Sequence, residues 1–72
     1  MYRLPTLISE FHGHDDGQPV FEVMALFPSG PTLSTFVFSD NHEMALYYAA
    51  CEWGIDDYAF KTRGPDAPEV AV

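Results

Sequence analysis

Apolar and polar residues alternate through the first forty positions and take up a helical rhythm only afterwards. From Tyr2 to Phe11 the alternation is loose, with Leu7, Ile8 and Phe11 as apolar members, and predicts a strand. Pro5 has no amide hydrogen to give to a ladder, so the strand is expected at a sheet edge or with a late start. Residues 12–19, His-Gly-His-Asp-Asp-Gly-Gln-Pro, are dense in turn formers and predict a hairpin loop. From Val20 to Phe27 only Glu22 interrupts the apolar run, as in a central strand partly covered on both faces. Residues 28–31, Pro-Ser-Gly-Pro, form a turn. Thr32 to Phe38 then alternate again, with Leu33, Thr35 and Val37 on one face and Ser34, Phe36 and Phe38 on the other. This β-branched and aromatic content predicts a third strand. The short connections make the three strands antiparallel neighbours.

The helical rhythm begins near Ser39. Asp40 suits the N-cap and Glu43, three residues on, completes a capping-box pattern. Ala45, Leu46, Ala49 and Ala50 favour a helix, and Gly54 is placed to stop it. About thirteen residues would span ~20 Å. Residues 57–62 predict a short fourth strand with Tyr58 and Phe60 on one face. Residues 64–72 contain Pro65 and Pro68 without a packing pattern and predict a mobile tail after a single domain over 1–63. The order β-β-β-α-β predicts an α+β fold, a small antiparallel sheet with one helix packed on one face.

The helix carries two apolar stripes. Met44, Tyr47, Tyr48 and Cys51 form one, and Leu46, Ala50 and Trp53, with Ala49 beside them, form nearly the opposite one. A single sheet covers one stripe, so the other faces solvent, a second subunit or a partner.

Charge narrows the choice of partner. Eleven carboxylates stand against three lysines and arginines, a net charge of -8 over 72 residues. Such a field attracts basic surfaces and repels phosphate, which argues against direct binding of nucleic acid or anionic membrane and for a positively charged protein. The chain is nonetheless 47% hydrophobic and 15% aromatic, unlike a disordered acidic tail. A domain of this size buries only ~60–65% of its unfolded surface, so the core is thin. Cys51 is the single cysteine, which rules out an internal disulfide and fits a reducing compartment. No apolar run approaches the ~20 residues of a membrane span, and residues 1–5 lack a signal peptide's apolar segment; a cytoplasmic location is expected.

Candidate chemistry is sparse. His12, His14, Asp15 and Asp16 offer imidazoles and carboxylates, with the two histidines expected on the same side of a strand end. A structural zinc site needs four ligands, and no cysteine pair or second histidine pair follows; His42 is the remaining imidazole. A solvated loop is the better reading, and no metal or cofactor is expected. Cys51 as a nucleophile would need an activating environment, whereas Glu52 beside it disfavours a thiolate; it reads as a small core hydrophobe. Asp15–Asp16 and Asp56–Asp57 lie at predicted loops, where water keeps both members of each pair ionised, unlike an acid–base couple. There is no glycine-rich phosphate loop, and Arg3, Lys61 and Arg63 are too few for a nucleic-acid patch. No enzymatic activity is expected.

The placement of the acids is more informative. In the predicted layout Asp15, Asp16, Asp40 and Glu43 gather at one end of the sheet and Asp56 and Asp57 at the other, with Glu10, Glu22 and Glu52 between. Anions held at such separations imitate a row of phosphates that a Lys/Arg-lined groove would accept. The competing reading is solubility, for which a charge of magnitude ~2–8 is ordinary. Tyr47 and Tyr48 would serve as aromatic anchors if their stripe is the exposed one.

Residues 49–58, Ala-Ala-Cys-Glu-Trp-Gly-Ile-Asp-Asp-Tyr, resemble the helix-to-strand junction of a small type I-F anti-CRISPR family, in which a helix rich in alanine and methionine ends in Glu-Trp-Gly before a tyrosine-containing strand. The resemblance implies a phage- or mobile-element-encoded inhibitor in the bacterial cytoplasm that binds a Cas subunit of a type I surveillance complex and blocks target DNA recognition. Three antiparallel strands followed by a helix with an acidic cap also resemble the ribonuclease-H-like domain of HicB antitoxins, which implies neutralisation of a small basic RNase toxin; the DNA-binding extension usual in that family is not visible. A homodimeric structural or adaptor protein, with the surplus stripe paired against its own copy, is the third reading.

Overall fold

The alternation of the first forty residues builds an antiparallel meander, and the helix that follows returns the chain across one face of it. The computed structural model describes residues 4–66, in the order β1 (Thr6–Asp15), β2 (Gln18–Leu26), β3 (Leu33–Phe38), α1 (His42–Trp53) and β4 (Ala59–Arg63). The first strand starts late, after Pro5; Tyr2, Arg3 and the expected tail beyond residue 66 lie outside the described residues. The sheet order is β3-β2-β1-β4. β1 therefore lies inside the sheet, and β3 and β4 are its edges.

Two features of the sheet's pairing depart from the sequence reading. The first is the direction of β4, which pairs parallel to β1 and makes the sheet mixed rather than wholly antiparallel. The cause is the crossover: α1 carries the chain back along the sheet, so the strand after it runs the same way as the strand before it, and β3 runs with β1. The second is the expected loop at 12–19. β1 continues to Asp15 because a bulge absorbs the glycine: His12 and Gly13 oppose Val20 alone, between the pairs Phe11↔Phe21 and His14↔Pro19, with Gly13 at φ 91°. The connection shrinks to Asp16-Gly17, both at positive φ, as a two-residue hairpin requires.

The register assigns each side chain to a face. Leu7 and Ser9, Phe21, Val23 and Ala25, and Leu33, Thr35 and Val37 share the helix side. Leu7, Phe21, Val23 and Ala25 pack there against Ala45, Leu46, Ala49 and Ala50. Three of those four helical residues are alanines, which lets the helix axis lie close to the sheet. The buried stripe is thus the one containing Leu46 and Ala50, and the Met44–Tyr47–Tyr48–Cys51 stripe faces outward.

The helix starts one residue later than expected. Asn41, not Asp40, is the N-cap; its Oδ1 accepts from the Met44 amide at 2.8 Å. Ser39 fixes this choice, because its buried hydroxyl donates to the Asn41 carbonyl at 2.9 Å and so holds Asp40 outside the cap. Gly54 ends the helix as expected, at φ 69° and ψ 31°. The Gly54 amide reaches the Cys51 carbonyl and the Ile55 amide the Ala50 carbonyl, a Schellman closure. A Cβ at Gly54 would meet nothing within 4 Å. Gly54→Ala should therefore cost only the left-handed backbone penalty, about 1 kcal/mol in urea unfolding, with the fold retained.

Candidate protein-binding surface

Along the outside of α1, Glu43, Tyr47 and Cys51 follow one another at intervals of one turn, with Tyr48 and Glu52 alongside. Tyr47 and Tyr48 are 56% and 47% exposed, and their ring centres lie 5.9 Å apart. The Tyr47 phenol is held above its ordinary value of 10.0, first by hydrogen bonding with Cys51 and then by the charge that group carries when ionised. Cys51 itself is exposed, which corrects its reading as a core residue: it lies on the outward stripe.

The acids divide between the two ends of this stripe. The Ser39 amide donates to the Pro19 carbonyl at 3.2 Å and sets the start of the helix beside the β1–β2 hairpin. Asp15 and Asp16 at the hairpin, and Asp40 and Glu43 at the helix start, are all exposed at this end. Tyr48 joins them: with Gly17, Gln18, Asp40 and Met44 it lines a depression of about 360 Å³. Asp56 and Asp57 are exposed in the connection from α1 to β4, at the far end, where Ala59 pairs with Thr6. Twelve helical residues separate the two ends by ~18 Å. Glu10 and Glu22 do not belong to this row. They face each other directly across β1 and β2 on the opposite side of the sheet, with Arg63 next to Glu10.

Several of these charges oppose stability. Glu43 in the first turn complements the helix dipole, but the last turn contains Glu52 and no basic residue. A carboxylate there costs on the order of 0.3–1 kcal/mol. Glu10 directly opposite Glu22 is also unfavourable. Folding stability does not account for this placement.

Beside the helix, on the same side of the sheet, lies a second concavity. α1 packs on β1, β2 and β3, while all five residues of β4 are exposed. The uncovered strip is a groove of about 640 Å³ between α1 and β4, bounded by His42, Glu43, Leu46, Phe60, Thr62 and Asp66. His42 forms its inner wall and holds three elements together. Its ring nitrogens meet Ser9 Oγ at 2.8 Å and the Gly64 carbonyl at 3.0 Å, and its amide donates to Asp66 Oδ1 at 2.9 Å. The Gly64 oxygen only accepts, so Nε2 carries the hydrogen; in the neutral ring Nδ1 then accepts from the Ser9 hydroxyl. Gly64 and Asp66, at the head of the expected tail, are thereby tied to the helix start.

The two loop histidines do not act together. The Gly13 bulge breaks the strand's alternation, so His12 packs edge-on to Phe36 on one side of the sheet and His14 to Phe11 on the other. Among the described residues no group of three or more His, Cys, Asp or Glu is arranged to hold a metal. No helix there is long and apolar enough to cross a membrane.

Every expected surface residue is exposed, and the tyrosines lie between the acidic ends. Sequence reasoning missed His42, Asp66 and the open side of Phe60. His42 has its ring partners 33 and 22 positions away, with no local signature. For Phe60 the alternation of Tyr58 and Phe60 gave the face, but not that the helix stops short of it. Comparison with protein-family models, curated proteins and solved structures finds no match for this chain.

Proposed function

We propose that this chain is a non-enzymatic inhibitor that occupies a basic nucleic-acid-binding surface of another protein, and that its target is a Cas subunit of a type I surveillance complex, whose recognition of target DNA it blocks. The carrying observation is the outward tyrosine pair set between two acidic ends on one side of the molecule. The acids supply steering toward a cationic groove and the tyrosines supply contact area at low entropic cost. The test is a DNA-binding competition assay with purified effector at low and at high salt. Displacement of DNA at low salt that weakens as salt rises is expected. No displacement at low salt would end this reading.

The antitoxin reading keeps the same surface and changes the target to a basic RNase; the succession of three antiparallel strands and a helix supports it. Inhibition of RNA cleavage by such a toxin, without effect on the Cas effector, would select it. A homodimer would pair the outward Met44–Tyr47–Tyr48–Cys51 stripe with its own copy, and β3 offers a second surface for it. β3 is a sheet edge without a single ionisable residue, and its own Phe36 and Phe38 are 59% and 54% exposed. Edges of this kind template pairing with another strand. Sedimentation decides: a mass that doubles with concentration and reverts on Phe36→Lys supports it, and a concentration-independent monomer removes it.

A further inference from the structure

We infer that the groove between α1 and β4 is an arginine-binding site, filled by an extended segment of the basic partner that pairs with the outer edge of β4. The inference rests on the reading of the partner as basic and names how one part of it is held. Three observations meet here. Among the described residues β4 is the last strand of the sheet, and no described strand pairs with the backbone groups along its outer edge. An added strand would find hydrogen-bonding partners there. The groove is aromatic as well as acidic: Phe60, 62% exposed, lies in contact distance of Tyr58 with ring centres 6.5 Å apart, and Glu43 and Asp66 are among the residues that line it. A guanidinium fits both halves, lying on an aromatic face while its N–H groups reach a carboxylate.

The register of β4 dictates the pattern of the partner. Phe60 and Thr62 pair with Leu7 and Ser9 and so face the groove, whereas Lys61 and Arg63 pair with Ile8 and Glu10 and face the other side. A strand added beyond β4 therefore places alternate residues beside the groove, where cations are attracted, and the intervening ones beside Lys61 and Arg63, where cations are repelled. The required segment alternates arginine with uncharged residues. A second copy of this chain does not meet that need. Two β4 strands joined about an axis perpendicular to the sheet would bring Phe60 and Thr62 to the groove side, without a cation.

The probe is a blocked hexapeptide alternating arginine with threonine, titrated into the isotopically labelled full chain and followed by amide chemical shifts. Shifts centred on residues 59–64 and on the first turn of α1 are expected. The same peptide with glutamine in place of arginine should bind at least tenfold more weakly, since both the cation–aromatic and the ionic contacts are lost. Phe60→Ser should weaken the arginine peptide about fivefold while the rest of the spectrum stays folded. Glu22→Gln, on the opposite face of the sheet and two strands away from β4, should leave it within twofold, as expected for a distant, screened charge. Equal binding of the glutamine peptide, or shifts centred on Tyr47 and Tyr48, overturns the inference. The competition assay separates its failure from that of the wider reading. Undiminished competition by the Phe60→Ser chain, with no groove binding of the peptide, removes the groove alone. Failure of the unaltered chain to compete removes the inhibitor and leaves the peptide result to judge the groove.

Discussion

Replacing His42 with alanine is expected to lower the stability of this domain by about 3 kcal/mol. The residue is only 6% exposed, and its ring bridges Ser9 on β1 to Gly64 beyond β4 while standing edge-on to Phe21 at 4.8 Å. Its removal deletes two hydrogen bonds, orphans the hydroxyl of the fully buried Ser9 and leaves a cavity against the largest core side chain. Each of these costs roughly 1 kcal/mol or more. A 72-residue domain has little to spare, and a change of this size should lower the melting temperature by about 15 °C. Circular dichroism melting measures it. Ser9→Ala removes one bond and no packing volume, so it should cost only about 1 kcal/mol, and the double variant should cost less than the sum. The effect has a local signature too. Gly64 is held to the helix through this ring, so amide exchange at residues 61–64 should accelerate beyond what the global loss predicts. A loss below about 0.5 kcal/mol for His42→Ala would contradict the account, being the scale of an ordinary surface change.

The sequence makes the meander and its faces legible because a period of two leaves no freedom: once Val23 and Phe21 must point inward, Leu33, Thr35 and Val37 follow through the register. Gly54 is equally legible, as only glycine sits comfortably at its φ. What the sequence conceals is decided across distance. β4's direction depends on where the crossover sets the chain down. The bulge at Gly13 competes with a loop of the same composition, and the extra pairs of a longer hairpin decide the outcome. Asp40 and Asn41 are both good caps, and the choice falls to a hydroxyl on Ser39. The buried face of α1 is ambiguous because both stripes are apolar; alanine spacing against the sheet settles it in favour of close approach. At the surface, the acidic ends are legible because Asp15, Asp16, Asp56 and Asp57 lie beside chain reversals, and reversals in a two-layer fold come at its ends. The groove is not, for it is defined by the part of the sheet that a twelve-residue helix fails to cover.

Truncating Tyr47 and Tyr48 together to alanine should lower affinity for the proposed basic partner by about 4 kcal/mol, near a thousandfold, if each acts as an anchor of ordinary strength. Both rings are outward on a rigid helix and neither supports the core, so the variant should melt within a few degrees of the original chain. Neutralising Asp15, Asp16, Asp40 and Glu43 to their amides tests the other half of the surface and should behave differently. Exposed charges act over distance, so the association rate should fall by roughly tenfold or more at low salt, and the deficit should close as salt rises. Dissociation should change little. The tyrosine variant should show the converse, a faster dissociation with the association rate and its salt dependence preserved. Surface plasmon resonance at two ionic strengths resolves the two patterns. A tyrosine pair whose loss altered only association would not be an anchor, and the affinity would then have to come from the carboxylates or from the groove beside β4.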